Sequence, residues 1–181
     1  MIDDILIYLL SGVKESLSKC KHIPDYSDKN SSKAMHLCST NLKPGTTTTF
    51  YLNATFTGEY GAECGVGFNI MGNNGDKIYH LDFRINMKRK KDMIVQDARF
   101  NGRWEGRKSY KIKHLKYYND IFLDLTPNFY NVTFNDEVVQ PQFDMDLQKL
   151  KDYTNVKIDH RGVCFTIDFN NSYMQNNGEP I

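Results

Sequence analysis

From Ala34 onward the chain divides into ten short runs rich in β-forming residues, and turn signals separate them at near-regular intervals. The runs are AMHLCSTNL, TTTFYLNATF, CGVGFNIMG, KIYHLDFRI, DMIVQDARF, DIFLDLT, FYNVTF, EVVQPQF, TNVKIDH and GVCFTIDF. Between them stand Pro44-Gly45, Gly72-Asn73-Asn74-Gly75, Asn101-Gly102, Pro127-Asn128, Asn135-Asp136 and Arg161-Gly162. Strands this short, with no long helical pattern among them, predict an all-β, antiparallel fold of two sheets closed over one core. The eleven Tyr and eleven Phe agree, because aromatic side chains pack well on a pleated surface. In FYNVTF, Tyr130, Val132 and Phe134 alternate with Phe129, Asn131 and Thr133, which predicts one buried and one open face. FDMDLQKLKDY (143–153) is the only stretch after Ala34 where a helical turn is expected.

The first 33 residues differ in character. Ile2, Leu6, Leu9, Val13 and Leu17 recur at helical spacing and predict a short amphipathic helix, followed by the polar, turn-rich KHIPDYSDKNSSK as a linker. The expected division is an extension over 1–33, a sandwich domain over 34–171 and a tail over 172–181. No run approaches the roughly 18–20 apolar residues that span a bilayer. Two aspartates precede the N-terminal apolar stretch and no basic segment does, so it reads poorly as a signal peptide. A net charge of +1 removes any general argument for nucleic-acid binding. Cys20, Cys38, Cys64 and Cys164 show neither a CxxC pair nor ligand-like spacing to histidine, so no metal and no cofactor are expected. Their three possible pairings remain open. N-x-S/T sequons at Asn30, Asn53, Asn131 and Asn170 weakly favour secretion.

Side chains of a strand alternate faces, so Leu81, Phe83 and Ile85 belong to the core while His80, Asp82 and Arg84 share the outer face. NMKRKKD then turns the chain, and MIVQDARF returns with Val95, Asp97 and Arg99 on one face, close enough for Asp97 to reach the first group across the strands. Trp104, the only tryptophan, follows just beyond Asn101-Gly102. Charged residues on an open strand face can be ordinary surface ion pairs. An aromatic plate beside fixed donors and acceptors also suits a sugar, whose C–H face packs on a ring while its hydroxyls hydrogen-bond.

These residues resemble the signature of the galectins, the β-galactoside-binding lectins, which runs H-x-N-P-R, then V-x-N, then W-G-x-E-x-R. The chain has His80-Leu81-Asp82-Phe83-Arg84, Val95-Gln96-Asp97 and Trp104, at the family's intervals without a gap. NLKPGTTTTFYLNATF, CGVGFNI, NVTFND and TNVKIDHRGVCFTIDF resemble further strands of the family, so the likeness covers about residues 34–170. It implies a galectin-like jelly-roll sandwich that binds β-galactoside-type glycans or glycoproteins without catalysis, with a homodimer among the assemblies to test. Galectins act outside cells and in the cytosol without a signal peptide, and either location fits this chain. The resemblance implies that His80 and Arg84 bind the axial hydroxyl and ring oxygen of galactose, that Trp104 stacks on its apolar face, and that Glu105 and Arg107 touch the adjoining sugar. Glu105 and Arg107 take the last two roles if the strand carries a two-residue deletion; otherwise those positions fall on Arg107 and Ser109.

Glu105-Gly106-Arg107 breaks the pattern after Trp104, and three earlier positions also depart from it. Asp82 and Asp97 replace asparagines, and Phe83 replaces the proline. An ionised carboxylate accepts but cannot donate, so altered or weakened galactoside affinity is expected. Two other classes compete with the lectin. Asp82, Asp97 and Glu105 could serve a glycosidase, but an outer strand face offers little burial to raise a carboxyl pKa. Alternatively the sandwich is a protein-interaction module that has lost sugar binding, with KRKK (88–91) facing acidic partners.

Overall fold

The computed structural model describes residues 14–24, 34–38, 47–58, 64–72, 74–85, 92–126, 129–139, 143–144 and 153–176. All ten β-rich runs contain strand. In chain order the strands are β1 (Lys14–Ser16), β2 (Lys21–Pro24), β3 (Ala34–Cys38), β4 (Thr48–Phe56), β5 (Cys64–Gly72), β6 (Lys77–Ile85) and β7 (Met93–Phe100). They continue as β8 (Arg103–Lys111), β9 (Tyr118–Leu125), β10 (Phe129–Phe134), β11 (Glu137–Val138), β12 (Phe143–Asp144), β13 (Tyr153–Arg161) and β14 (Phe165–Asn176).

Among the described residues these strands build two antiparallel sheets of seven. One runs β1-β14-β4-β9-β10-β11, with β12 also paired to β10; the other runs β2-β3-β13-β5-β6-β7-β8. Alternation does the sorting, as in β4, where Thr48, Phe50, Leu52 and Ala54 are buried and the residues between them are half-exposed. Between the sheets Phe50 meets Phe68 edge-on at 4.9 Å, and Phe83 lies 5.8 Å from both Phe134 and Phe165. These contacts join the inner faces as a β-sandwich core. Asn101 and Gly102, both at positive φ, make the two-residue turn that folds β8 back on β7 and sets Trp104 near the start of the returning strand.

The N-terminal helix expected through Leu17 is corrected in its described part. Lys14–Ser16 is a strand on β14, and Leu17–Lys19 is a single 3-10 turn capped by the Ser16 hydroxyl, with Leu17 buried. A backbone that pairs with Tyr173–Gln175 overrides weak helical periodicity. Residues 1–13 lie outside the described residues. Within the expected linker, Lys21–Pro24 pairs with β3. KRKK (88–91) and most of the expected helical turn in 143–153 also lie outside the described residues, although Phe143–Asp144 is strand.

The cysteine pairing left open by the sequence is Cys20–Cys38 and Cys64–Cys164. The first ties the entry to β2 onto the end of β3; the second ties the start of β5 to the turn between β13 and β14.

Candidate functional site

Register brings the outer face of the second sheet together as cross-strand rows. Arg161, Gly65, Arg84 and Met93 stand side by side on β13, β5, β6 and β7. The next row is Asp159, Gly67, Asp82, Val95 and, on β8, Ser109; a third is Lys157, Asn69, His80 and Asp97. Trp104 pairs with Arg99, which itself stands opposite Lys77. Directly opposed residues share a face, so His80, Asp82, Arg84, Asp97 and Trp104 all belong to one surface.

The expectation of an open display is met only in part. Trp104 is 48 % exposed and its ring lies 4.9 Å from that of His80, tilted by 47°. Lys77 Nζ and the Arg99 guanidinium approach the same indole at 5.4 and 5.8 Å. Arg84 is also open, with its side chain 43 % exposed. His80 and Asp97 are buried, and Asp82 is only 1 % exposed. Their side chains point to the outer face but lie beneath longer neighbours.

Asp82 shows why. Arg84 Nε donates to its Oδ2 at 2.6 Å, Arg161 Nη1 donates to Oδ2 at 3.3 Å, and Arg161 Nη2 donates to Oδ1. Arg161 Nη2 also reaches the Phe83 carbonyl at 3.2 Å. The extra charge introduced by aspartate is thus clamped by two guanidiniums, one from its own strand and one from β13. Burial pushes the Asp82 carboxyl upward, but His80 and the two arginines outweigh it and hold the group well below the usual carboxylate range. A carboxylate depressed in the folded state stabilises above its unfolded pKa of about 3.9, and that contribution is lost as pH falls towards the folded value. Urea unfolding of wild type and Asp82→Asn as a function of pH checks this. The wild type should lose stability relative to the variant as pH drops from about 4 to 2, with the difference constant between about pH 5 and 8.

His80 is fixed from the other side. Asn69 Nδ2 donates to Asp159 Oδ2 at 3.0 Å and to the Lys157 carbonyl at 3.2 Å, which turns its Oδ1 towards His80 Nδ1 at 2.6 Å. Nδ1 therefore carries a proton, and Nε2 lies 3.8 Å from Asp82 Oδ2. Asp97 Oδ1 accepts the Ala98 N–H at 2.9 Å.

Glu105 and Arg107 are placed differently from Trp104. Glu105 stands opposite Ala98, a core residue, and so lies on the other face of the strand; it is exposed because β8 is an edge. Gly106, at φ +78°, and Arg107 form the bulge opposite Asp97. Ser109, beyond the bulge, returns to the Trp104 face opposite Val95.

Sequence reasoning missed Arg161, Asn69, Asp159 and, in β5, Gly65 and Gly67. A Cβ at Gly65 would lie 1.9 Å from the Phe83 carbonyl oxygen and 2.7 Å from Arg161 Nη2, so only glycine lets Arg161 cross β5 to Asp82. The alternating Lys157-Ile158-Asp159-His160-Arg161 was the available signal, since it puts three charged side chains on one face. Among the described residues no group of three His, Cys, Asp or Glu is arranged to hold a metal ion.

No family model and no curated protein matches the chain. Solved structures do. Sheep galectin-11, in complex with glycerol, is 14 % identical over 82 % of this chain and 99 % of its own, with a TM-score of 0.56. The chicken liver agglutinin CG-16, described as homodimeric, is 10 % identical over 80 % of this chain and 100 % of its own, with a TM-score of 0.54. The CBM2 module of the evolved Dit protein of Lactobacillus casei BL23 phage J-1 superposes with a TM-score of 0.63 at 7 % identity, over 82 % of this chain and 71 % of its own. The fold is galectin-like.

Proposed function

We propose that the chain is a non-catalytic lectin that holds a β-galactoside-type glycan on the outer face of its second sheet. The observation that carries this reading is the partly exposed indole of Trp104 against the His80 imidazole, on the same face as the free edge of Arg84. The indole offers a plate for the C–H face of a sugar. His80 Nε2 hydrogen-bonds a hydroxyl, and the Arg84 Nη groups donate to a hydroxyl or ring oxygen. Asp82 takes a different part from the asparagine it replaces. It is covered and saturated by arginine, so it positions Arg84 and leaves the sugar without a donor there. Asp97, buried and already accepting from Ala98, acts in the same supporting way. Arg107 in the β8 bulge, with Ser109, is better placed than Glu105 to meet a second sugar. Affinity for simple galactosides is therefore weaker than a site with two asparagines would give.

Hydrolysis is disfavoured by the same geometry: Asp82, the most buried carboxylate of the cluster, is held ionised by its arginines and cannot act as the acid. Two disulfides suit an oxidising, extracellular setting. Calorimetric titration with lactose, and with sucrose as a sugar lacking galactose, tests the proposal. Saturable heat with lactose alone is expected. Equal heats for the two sugars, or none for either from folded protein, would leave a lectin-like sandwich that serves protein contacts instead.

A further inference from the structure

The outer face of the first sheet, across the sandwich from the saccharide cradle, carries an aromatic strip of its own. Register sets Tyr173 of β14, Tyr51 of β4 and Phe122 of β9 side by side. Their rings lie 5.1 and 5.0 Å apart, tilted by 34° and 42°, and all three are partly exposed. Asn53 and Thr55 follow Tyr51 on the same face of β4, because Leu52 and Ala54 between them are buried. Tyr51-Leu52-Asn53-Ala54-Thr55 thus puts a ring, an amide and a hydroxyl in one outward line, and the last two form an N-x-T sequon.

The Tyr51 hydroxyl donates to Asp120 Oδ1 at 2.6 Å and accepts from Asn53 Nδ2 at 3.3 Å. Asp120 and Asp168, which flank Asn53 across the strands, are engaged elsewhere. Asp120 takes the Tyr51 hydroxyl, and Asp168 takes the N–H groups of Asn170 and Asn171 and the Asn171 amide. The other sequons lack this setting. Asn30 lies outside the described residues, the Asn131 amide oxygen is buried, and exposed Asn170 has Asp168 where a ring would stand two residues before it.

We infer that Asn53 is an N-glycosylation site whose first N-acetylglucosamine packs on the ring strip beginning at Tyr51. The donor is a lipid-diphosphate-linked oligosaccharide. Its C1 bonds to Asn53 Nδ2 as the C1–O bond to the diphosphate breaks; the amide gives up one proton and the lipid diphosphate leaves. Nδ2 keeps its other hydrogen, so the bond to Tyr51 persists and holds the new sugar beside the ring. There a C–H face of the sugar finds a partly exposed aromatic surface. Two disulfides suit the same oxidising compartment in which sequons are modified.

The test uses the full chain, secreted from eukaryotic cells behind an added signal sequence. Glycopeptide mass spectrometry should find Asn53 modified. An endoglycosidase then trims each glycan to one N-acetylglucosamine, and melting is compared with Thr55→Ala, which leaves Asn53 bare. That gap should exceed the gap between the same two chains made without glycans by about 2–4 °C. In a Tyr51→Ala background the excess should vanish. If Tyr51→Ala does not fold, Phe122→Leu removes the next ring and should reduce the excess. An unmodified Asn53 in the folded, secreted chain overturns the inference, as does an excess that is absent from wild type or survives loss of the ring. None of these outcomes depends on lactose binding, which takes place on the other sheet.

Discussion

Trp104→Ala should weaken lactose binding by about 30- to 1,000-fold, equivalent to about 2–4 kcal/mol, and leave the fold intact. The size follows from what the ring does at the site. Among the described residues it is the one large aromatic ring packed on His80, and its neighbours Lys77 and Arg99 are cations that cannot replace an apolar plate. Alanine removes the stacking surface and also a wall beside the His80 imidazole, so hydroxyl bonds formed there meet more competing water. Stability should hardly change, because β8 is an edge strand, Trp104 is half-exposed and the core cluster does not include it. Surface replacements of this kind stay within about 0.5 kcal/mol. Calorimetry for binding and urea unfolding for stability separate the two effects. Unchanged lactose affinity would mean that sugar is held elsewhere.

Loss of the Cys64–Cys164 bond gives the largest expected change in stability. Its two cysteines are 100 residues apart in sequence, against 18 for Cys20–Cys38. A cross-link acts chiefly by restricting the unfolded chain, more so for a longer loop. The chain-entropy model gives about 4.7 kcal/mol for a 100-residue loop and about 3 kcal/mol for one of 15 residues. The longer loop encloses every strand from β5 to β13, so the unfolded protein gains freedom over most of its length when the bond is absent. Cys64→Ala/Cys164→Ala should therefore cost about 3–5 kcal/mol in urea unfolding, and more than Cys20→Ala/Cys38→Ala. The reverse ranking would contradict the assignment of the main tether to the long-range bond.

Much of this arrangement could be read before any coordinates. Turn pairs such as Asn101-Gly102 demand positive φ, and both residues adopt it. The period of two in KIYHLDFRI sends Leu81, Phe83 and Ile85 inward without reference to the rest of the chain. What escaped was long-range. Arg161 lies 79 residues from Asp82, and their contact depends on β13 and β5 pairing in one particular register across a glycine. No local pattern encodes that row. Glu105 follows Trp104 directly, so strand alternation alone sets it on the opposite face, and Arg107 lies past an irregularity. Gly106 introduces a bulge, and a bulge changes which following residues face outward; a spacing rule taken along the strand therefore fails past it. The N-terminal segment shows the opposite failure: over Lys14–Ser16, pairing to β14 replaces the helical period expected to run through to Leu17.

The chain contains a single tryptophan, and it stands in the proposed cradle. Its emission during a lactose titration therefore reports on the site and on nothing else. Stacking of a sugar on the indole replaces water at one face, so a saturable change in emission is expected, with the same midpoint as the calorimetric curve and no response to sucrose. An emission spectrum that stays fixed up to about 0.1 M lactose, where even weak millimolar binding would be saturated, would contradict the sugar site on this face.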